Sequence, residues 1–177
     1  LELAVMSMPP HQMGGVDPLP QVRAAMHASD VVILQTSFAT VHTDTVREGL
    51  KKGMRVLDMW GWDEEMMVVG GAMADYDEVE RNSRRVSGIL SSAKRGRFTT
   101  PEGSDMTFSL EGRTCFPLIG KAKNPGEFTA CPDGEAAISP LEGSAAGVMV
   151  NPFSIEHKDL GFVNEPIRIE VKDGKAV

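Results

Sequence analysis

The feature that most constrains the fold is a change in the pattern of apolar and turn-forming residues near residues 94–96. Between Tyr76 and Lys94, apolar residues recur at the spacing of one helix face. From Arg97 onward this periodicity is absent, and glycine and proline recur between short strand-like segments. The sequence therefore predicts two parts with different secondary structure, residues 1–95 and residues 96–177.

The first part alternates predicted strands with predicted helices. Val31–Leu34 is wholly apolar, a pattern typical of a strand buried on both faces, and Arg55–Met59 reads as a further strand. Leu1–Met8 alternates loosely between apolar and other residues and predicts a short additional strand. Strands and helices in alternation predict a Rossmann-like α/β lobe with an open parallel sheet.

Helix boundaries in this part follow from capping residues. Asp17 precedes a proline and is suited to accept hydrogen bonds from the free amides of a helix that starts there. Thr43 or Asp44 could cap a second helix in the same way, and Gly53 is placed to end it. The sequence thus predicts one helix on each side of the first buried strand.

The second part is predicted to be the β-rich start of a second lobe. Turn residues separate five strand-like segments, Arg97–Thr100, Met106–Leu110, Ala136–Ser139, Val148–Val150 and Ile167–Val171. The last six residues read as a hairpin turn that enters one more strand. Because strand patterns lie at both ends of the sequence, we expect the chain to be a fragment of a longer protein.

Composition excludes several classes of protein. A formal net charge of -7 argues against a nucleic-acid partner, because phosphate binding needs a basic surface. No apolar run approaches the roughly 20 residues that a membrane span needs. Two cysteines, Cys115 and Cys131, are too few for a disulfide scaffold. We therefore expect a cytoplasmic protein without membrane or nucleic-acid contacts.

Four histidines are candidates for chemistry because imidazole titrates near neutrality and binds metals. They are His11, His27, His42 and His157, and no two of them have metal-ligand spacing on one element. His42 follows the carboxyl end of a predicted strand, which is where open α/β sheets bind ligands. His42 is therefore the histidine most suited to a functional role.

Residues 131–147 carry three carboxylates within a turn–strand–turn–strand pattern. Asp133, Glu135 and Glu142 could supply oxygen ligands to a divalent cation or act as general bases. From the residues alone, the favoured interpretation is that they are solvated acids of surface turns. Spacing alone leaves both interpretations open.

The same stretch resembles the M29 (aminopeptidase T-like) leucyl aminopeptidases. In that family a Gly-Glu-Val-like triplet enters a strand, reaches Ala-Pro and continues into a small-residue turn. The matching segments here are Gly134–Ala136, Ser139–Pro140, Glu142–Ser144, Gly147–Val148, Thr100–Met106 and Phe108–Leu110. The strand at Asp30–Ile33 and the helix start at Ala74–Tyr76 also fit the family's first lobe, so the resemblance covers nearly the whole chain.

This resemblance implies a metal-dependent hydrolase that releases N-terminal residues from peptides. It implies two divalent cations (zinc, cobalt, manganese or magnesium), with Glu135 as a metal ligand and the other ligands beyond Val177. The cations would polarise the scissile carbonyl and lower the pKa of a bridging water. The resemblance also implies a homodimer and a small peptide or small-molecule substrate.

Two alternatives remain beside the aminopeptidase. The related 2,5-dihydroxypyridine 5,6-dioxygenases share the fold but open a pyridine ring with one non-haem Fe(II). As far as the resemblance goes, they do not retain the glutamate of the triplet, so Glu135 favours the peptidase. The second alternative is a non-catalytic binding module that keeps only the fold.

Overall fold

A computed structural model describes residues 2–150, 154–155 and 161–177. These residues form two compact units. Unit 1 contains the described residues up to Arg81 together with Leu118–Glu135, and unit 2 contains Asn82–Pro117 and the described residues from Ala136 onward. Unit 1 holds a parallel sheet and unit 2 is β-rich, so the predicted α/β class is confirmed. The division of the chain at residue 95 stays a prediction.

The secondary structure comprises three α-helices, one short 3₁₀ helix and twelve strands within the described residues. The helices are α1 (Pro20–His27), α2 (Asp44–Lys51) and α3 (Tyr76–Ser92), and the 3₁₀ helix is Gly70–Met73. The strands are β1 (Val31–Leu34), β2 (Arg55–Asp58), β3 (Arg95–Thr99), β4 (Asp105–Ser109), β5 (Phe116–Leu118), β6 (Phe128–Ala130), β7 (Glu135–Ala137), β8 (Ala146–Val150), β9 (Ser154–Ile155), β10 (Gly161–Phe162), β11 (Arg168–Lys172) and β12 (Lys175–Ala176). Within the part of the chain that the structure describes, no helix combines the length and apolar character needed to cross a membrane.

The core of unit 1 lies on one face of a three-stranded parallel sheet with the order β1-β2-β6. Val32, Val56 and Phe128 are register partners across the three strands, so their side chains share a face. The helices α1 and α2 contribute to the core on this face. The buried core residues are Met26, Leu34, Val41, Val46, Met54 and Val56.

The other face of β1 is open to solvent. The side chains of Val31 and Ile33 are 46% and 62% exposed. The prediction that this strand is buried on both faces is therefore wrong for the described chain. The physical reason is that the buried cluster uses only alternate residues of β1, Leu34 among them, and leaves the residues between them outside the core.

The third strand of the parallel sheet does not come from the N terminus. Residues 2–8 form no strand, and Leu3 and Val5 are 84% and 85% exposed, so no burial favours pairing there. The strand predicted over Leu1–Met8 is thus wrong for these residues. Its place in the sheet is taken by β6, which pairs with β2 in parallel from far along the chain.

The helix caps of unit 1 differ in part from those predicted. Thr43 accepts a hydrogen bond from the Val46 amide at 3.4 Å and is the predicted N-cap of α2. Asp17 does not cap α1, which begins at Pro20; instead its Oδ1 accepts from the Thr45 amide at 2.9 Å. Asp17 therefore helps to cap α2, and this contact fixes the preceding loop onto the start of that helix.

Unit 2 is organised around a five-stranded antiparallel sheet with the order β12-β11-β8-β4-β3. The predicted terminal hairpin is confirmed, since β12 pairs with β11 around Asp173, which has φ 50°, and Gly174. The predicted helix over residues 76–94 is confirmed as α3, and Ser87 Oγ donates to the Cys115 carbonyl at 3.0 Å. Two-stranded sheets pair β5 with β7 and β9 with β10.

Gly147 is the position in unit 2 that should tolerate a side chain least. Its φ is +134°, and a Cβ there would lie 2.1 Å from the Asp105 carbonyl oxygen on the neighbouring strand. We expect Gly147→Ala to lower the free energy of unfolding by about 2–4 kcal/mol, through backbone strain and overlap. Urea denaturation followed by circular dichroism measures this change.

Gly88 provides the matched control. It lies within α3, and a Cβ there would meet nothing within 4 Å, so Gly88→Ala should raise the free energy of unfolding by about 0.5–1 kcal/mol. Equal effects of the two substitutions would contradict the close approach of β8 to β4.

Candidate functional site

The candidate site is the edge of the unit 1 sheet at which its three strands end. We define this carboxyl edge by the segments that follow the strands, residues 35–43, 58–62 and 131–133. Asp58 is the last residue of β2, His42 lies between β1 and α2, and Cys131 directly follows β6. Because parallel strands all end on the same side of a sheet, these residues lie where open α/β sheets bind ligands.

Backbone hydrogen bonds beyond the strand ends hold this edge in place. The Met59 amide donates to the Leu34 carbonyl and the Gly61 amide donates to the Thr36 carbonyl, both at 2.8 Å. The Cys131 amide donates to the Asp58 carbonyl at 2.9 Å. The three segments are therefore tied to one another, and side chains at the edge are positioned by the sheet.

Asp58 is the most unusual side chain of the carboxyl edge. It is 1% exposed with both carboxylate oxygens buried, and no side chain among the described residues donates a hydrogen bond to them. Burial raises the pKa of Asp58 to about 6, and the amides of Val41 and Trp60 and the charge of His42 act in the opposite direction. A carboxyl group in this environment changes its charge near physiological pH.

His42 is exposed while its neighbours in sequence are buried. Thr40, Val41 and Thr43 are buried, and Thr43 is fixed as the α2 N-cap. The imidazole ring stands nearly perpendicular to the Phe128 ring, with an interplanar angle of 83° and centroids 6.4 Å apart. A segment with buried anchors thus presents one imidazole to solvent at the edge.

Cys131 belongs to a cluster of hydrogen bonds that immobilises the end of β6. Its Sγ lies 3.3 Å from the Tyr76 hydroxyl oxygen, and Trp62 Nε1 donates to its carbonyl oxygen. The Tyr76 hydroxyl also donates to the Gly71 carbonyl, and burial together with Cys131 raises the pKa of Tyr76. The thiol therefore contacts a phenol and not a histidine, an arrangement unlike that of a catalytic cysteine.

A small cleft in unit 1 opens beside this cluster. Its volume is about 260 Å³, and its lining includes Asp63, Glu65, Met66, Gly71 and Pro132. The cleft has acidic and apolar walls and no basic side chain.

The three carboxylates predicted from residues 131–147 have separate environments. Glu135 is exposed at the start of β7, and burial raises the pKa of the half-buried Asp133. Glu142 lies in a turn, where hydrogen bonding from its own amide and the charge of Arg113 lower its pKa, and it pairs with Arg113. Among residues 2–150, 154–155 and 161–177, no three His, Cys, Asp or Glu side chains form a group that could hold a metal ion.

Two further histidines lie among the described residues. His27 Nε2 lies 2.8 Å from the Thr45 carbonyl oxygen and links α1 to the start of α2. His11 is half-buried, and its Nε2 has no hydrogen-bond partner in the described part of the chain. His157 lies outside the described residues.

Sequence reasoning missed Asp58, although a signal was present. An acidic residue follows two apolar residues at the carboxyl end of a predicted parallel strand. This is a position at which a polar side chain points to a ligand site. The burial of Asp58 depends on how the elements of unit 1 pack, which the local sequence pattern does not give.

Comparison with known proteins identifies the family. The family model of NicX, 2,5-dihydroxypyridine 5,6-dioxygenase, matches residues 5–177, so the chain belongs to this family. A solved structure of the 2,5-dihydroxypyridine dioxygenase from Pseudomonas putida KT2440 has the same fold, with a TM-score of 0.72 and 22% sequence identity. The match covers 87% of this chain and 43% of that chain, so this chain spans less than half of the solved relative. No curated protein sequence matches.

The family assignment corrects the aminopeptidase interpretation. The chain is a member of a dioxygenase family, and nothing matched supports an M29 peptidase, a hydrolase or a metalloprotease. The glutamate of the triplet was the feature that favoured the peptidase, and Glu135 is present in a chain of the dioxygenase family. Glu135 therefore does not discriminate between the two families. The assignment to an enzyme family agrees with the expectation of an enzyme. A dioxygenase implies a metal cofactor, which agrees with the expectation of a divalent metal.

The buried carboxyl of Asp58 should give folding stability a measurable pH dependence. Its pKa is raised in the folded state, so its contribution to stability is present at low pH and is lost as the pH rises through about 6. We expect the stability of the wild type relative to Asp58→Asn to fall by about 2–3 kcal/mol between pH 4 and pH 7. Urea denaturation at a series of pH values measures this difference.

Asp17→Asn is the control with the opposite sign. Hydrogen bonding from Thr45 lowers the pKa of Asp17, so its contribution is present at neutral pH and is lost as the pH falls. The stability of the wild type relative to Asp17→Asn should therefore rise with pH. A difference between the wild type and Asp58→Asn that does not vary with pH would refute the raised pKa.

Proposed function

We propose that the protein containing this chain is an oxygen-dependent, ring-cleaving enzyme that acts on a dihydroxylated pyridine with ferrous iron as its metal. The observation that carries this proposal is the family match across residues 5–177. The family name specifies the bond, so the reaction adds both atoms of O₂ across C5 and C6 of the ring and breaks the bond between them.

The chemistry favours iron over zinc and magnesium. Zinc has no redox chemistry, and magnesium prefers a full shell of oxygen ligands, so neither suits a reaction with O₂. Ferrous iron with open coordination positions is the metal of non-haem oxygenases. The described residues do not fit a complete iron site, because no group of three candidate ligands occurs among them.

In this proposal, the carboxyl edge of unit 1 forms part of the substrate site. His42 is exposed there, and its ring is oriented against Phe128. An imidazole can donate a hydrogen bond to a ring hydroxylate or accept one from a hydroxyl group. We assign His42 to contact an oxygen of the hydroxylated ring. A homodimer, a small-molecule substrate, the absence of nucleic-acid contacts and a cytoplasmic location stay predictions.

Oxygen uptake by the full-length protein tests the function. The protein is loaded with ferrous iron without air and mixed with 2,5-dihydroxypyridine in an oxygen-electrode cell. We expect one O₂ consumed per ring, with loss of the aromatic ultraviolet absorbance. Protein loaded with zinc serves as the control and should consume none. No oxygen uptake by the iron-loaded protein, with iron bound, would overturn the proposal and favour a binding role.

Glu135 stays a predicted metal ligand, and its substitution tests that prediction. If Glu135 binds the iron of the full-length protein, Glu135→Gln should lower iron affinity by about 10-fold or more, because a charged oxygen ligand is lost. Glu142→Gln is the matched control, since its carboxylate pairs with Arg113 in a surface turn. Competition with a chelator, read by metal analysis, measures the affinity. Equal iron affinity in both variants would exclude Glu135 as a ligand.

A further inference from the structure

Asp58 has an environment that is unfavourable for stability. An ionised carboxylate in the protein interior is unfavourable unless it is well hydrogen-bonded or paired, and carboxyl groups with a perturbed pKa concentrate at functional sites. At Asp58, both oxygens are buried and receive no hydrogen bond from a side chain among the described residues, while its register partners Leu34 and Ala130 are apolar. Packing alone would be served at least as well by an uncharged side chain.

Among the described residues, one titratable side chain acts on the charge of Asp58. From the neighbouring strands, β1 contributes Leu34 and β6 contributes Ala130, neither of which titrates. The thiol of Cys131, next along the chain, contacts the Tyr76 hydroxyl. From the loop before α2, His42 sets its ring nearly perpendicular to that of Phe128, which lies two residues before Ala130 on the same face of β6. The imidazole therefore stands on the face of the sheet that carries Asp58, where its charge and the Val41 and Trp60 amides stabilise the carboxylate.

We propose that Asp58 is a positioning residue, whose buried carboxylate acts electrostatically on His42 at the carboxyl edge and holds the imidazole ready for the substrate. This inference rests on the proposed function in one respect, namely that His42 contacts the hydroxylated ring. The carboxylate lies under the edge and the imidazole lies in solvent, so Asp58 acts through His42 and does not touch the substrate.

A double-mutant cycle in the full-length, iron-loaded protein tests the coupling. Asp58→Asn keeps the shape of the side chain and removes its charge, and we expect it to lower kcat/KM for 2,5-dihydroxypyridine by about 10-fold at pH 7. In a His42→Gln background the same substitution should cost less than about twofold, because the group through which Asp58 acts is gone. Equal losses in both backgrounds would show that Asp58 only supports the fold and would overturn the proposal.

The pH profile supplies a readout that a merely structural role would not move. In the wild type, kcat/KM should rise as the pH passes through about 6, where Asp58 ionises. This rise in kcat/KM near pH 6, the acidic limb of the profile, should be absent from Asp58→Asn. Lys52→Gln, at an exposed site after α2, is the surface control and should keep the wild-type profile. A limb near pH 6 that persists in Asp58→Asn would overturn the proposal.

A second measurement separates failure of this inference from failure of the proposed function. The carboxyl carbon of Asp58 is followed by ¹³C NMR during a pH titration, which needs no turnover. The charge of His42 lowers the pKa of Asp58, so His42→Gln should shift the Asp58 titration midpoint upward. An unchanged midpoint would refute the coupling even in an active enzyme. A shifted midpoint in a protein that consumes no oxygen would uphold the coupling and refute the function.

Discussion

The pairing of β2 with β1 on one side and β6 on the other positions every group of the candidate site. The register aligns Leu34, Asp58 and Ala130 at the ends of their strands, and backbone hydrogen bonds continue past these residues. His42 depends on the same pairing, because its ring packs against Phe128 of β6. A change in register by one residue would move Asp58 to the opposite face of the sheet and away from His42.

Local patterns in the sequence predicted the elements whose signals are contained within them. β1, β2, α2 and α3 follow from apolar runs, helical periodicity and a threonine cap. β6 could not be found in this way, because it is three residues long and is defined by pairing with a distant strand. The same limit explains Asp17, which has the chemistry of a cap but caps a helix other than the next one along the chain.

The residues of the candidate site also divide into those that a local sequence pattern predicts and those that depend on long-range contacts. The position of His42 after a strand was readable from the sequence, and the structure places it exposed at the carboxyl edge. The burial of Asp58 depends on helices and strands from several parts of unit 1, so a pattern of neighbouring residues could not give it. The motif around Glu135 resembled the wrong family, because a short glycine–glutamate triplet carries little information about which reaction an enzyme catalyses.

The interruption of unit 1 by residues 82–117 has a consequence for the order in which the protein forms. During synthesis, β1, β2 and both packing helices leave the ribosome well before β6, so the sheet first exists with one edge of β2 unpaired. The β3–β4 hairpin of unit 2 is local and emerges in that interval, so it can form early. An unpaired β2 edge is a site for incorrect association until residue 130 is available. The nascent chain therefore exposes this edge between the emergence of β2 and that of β6.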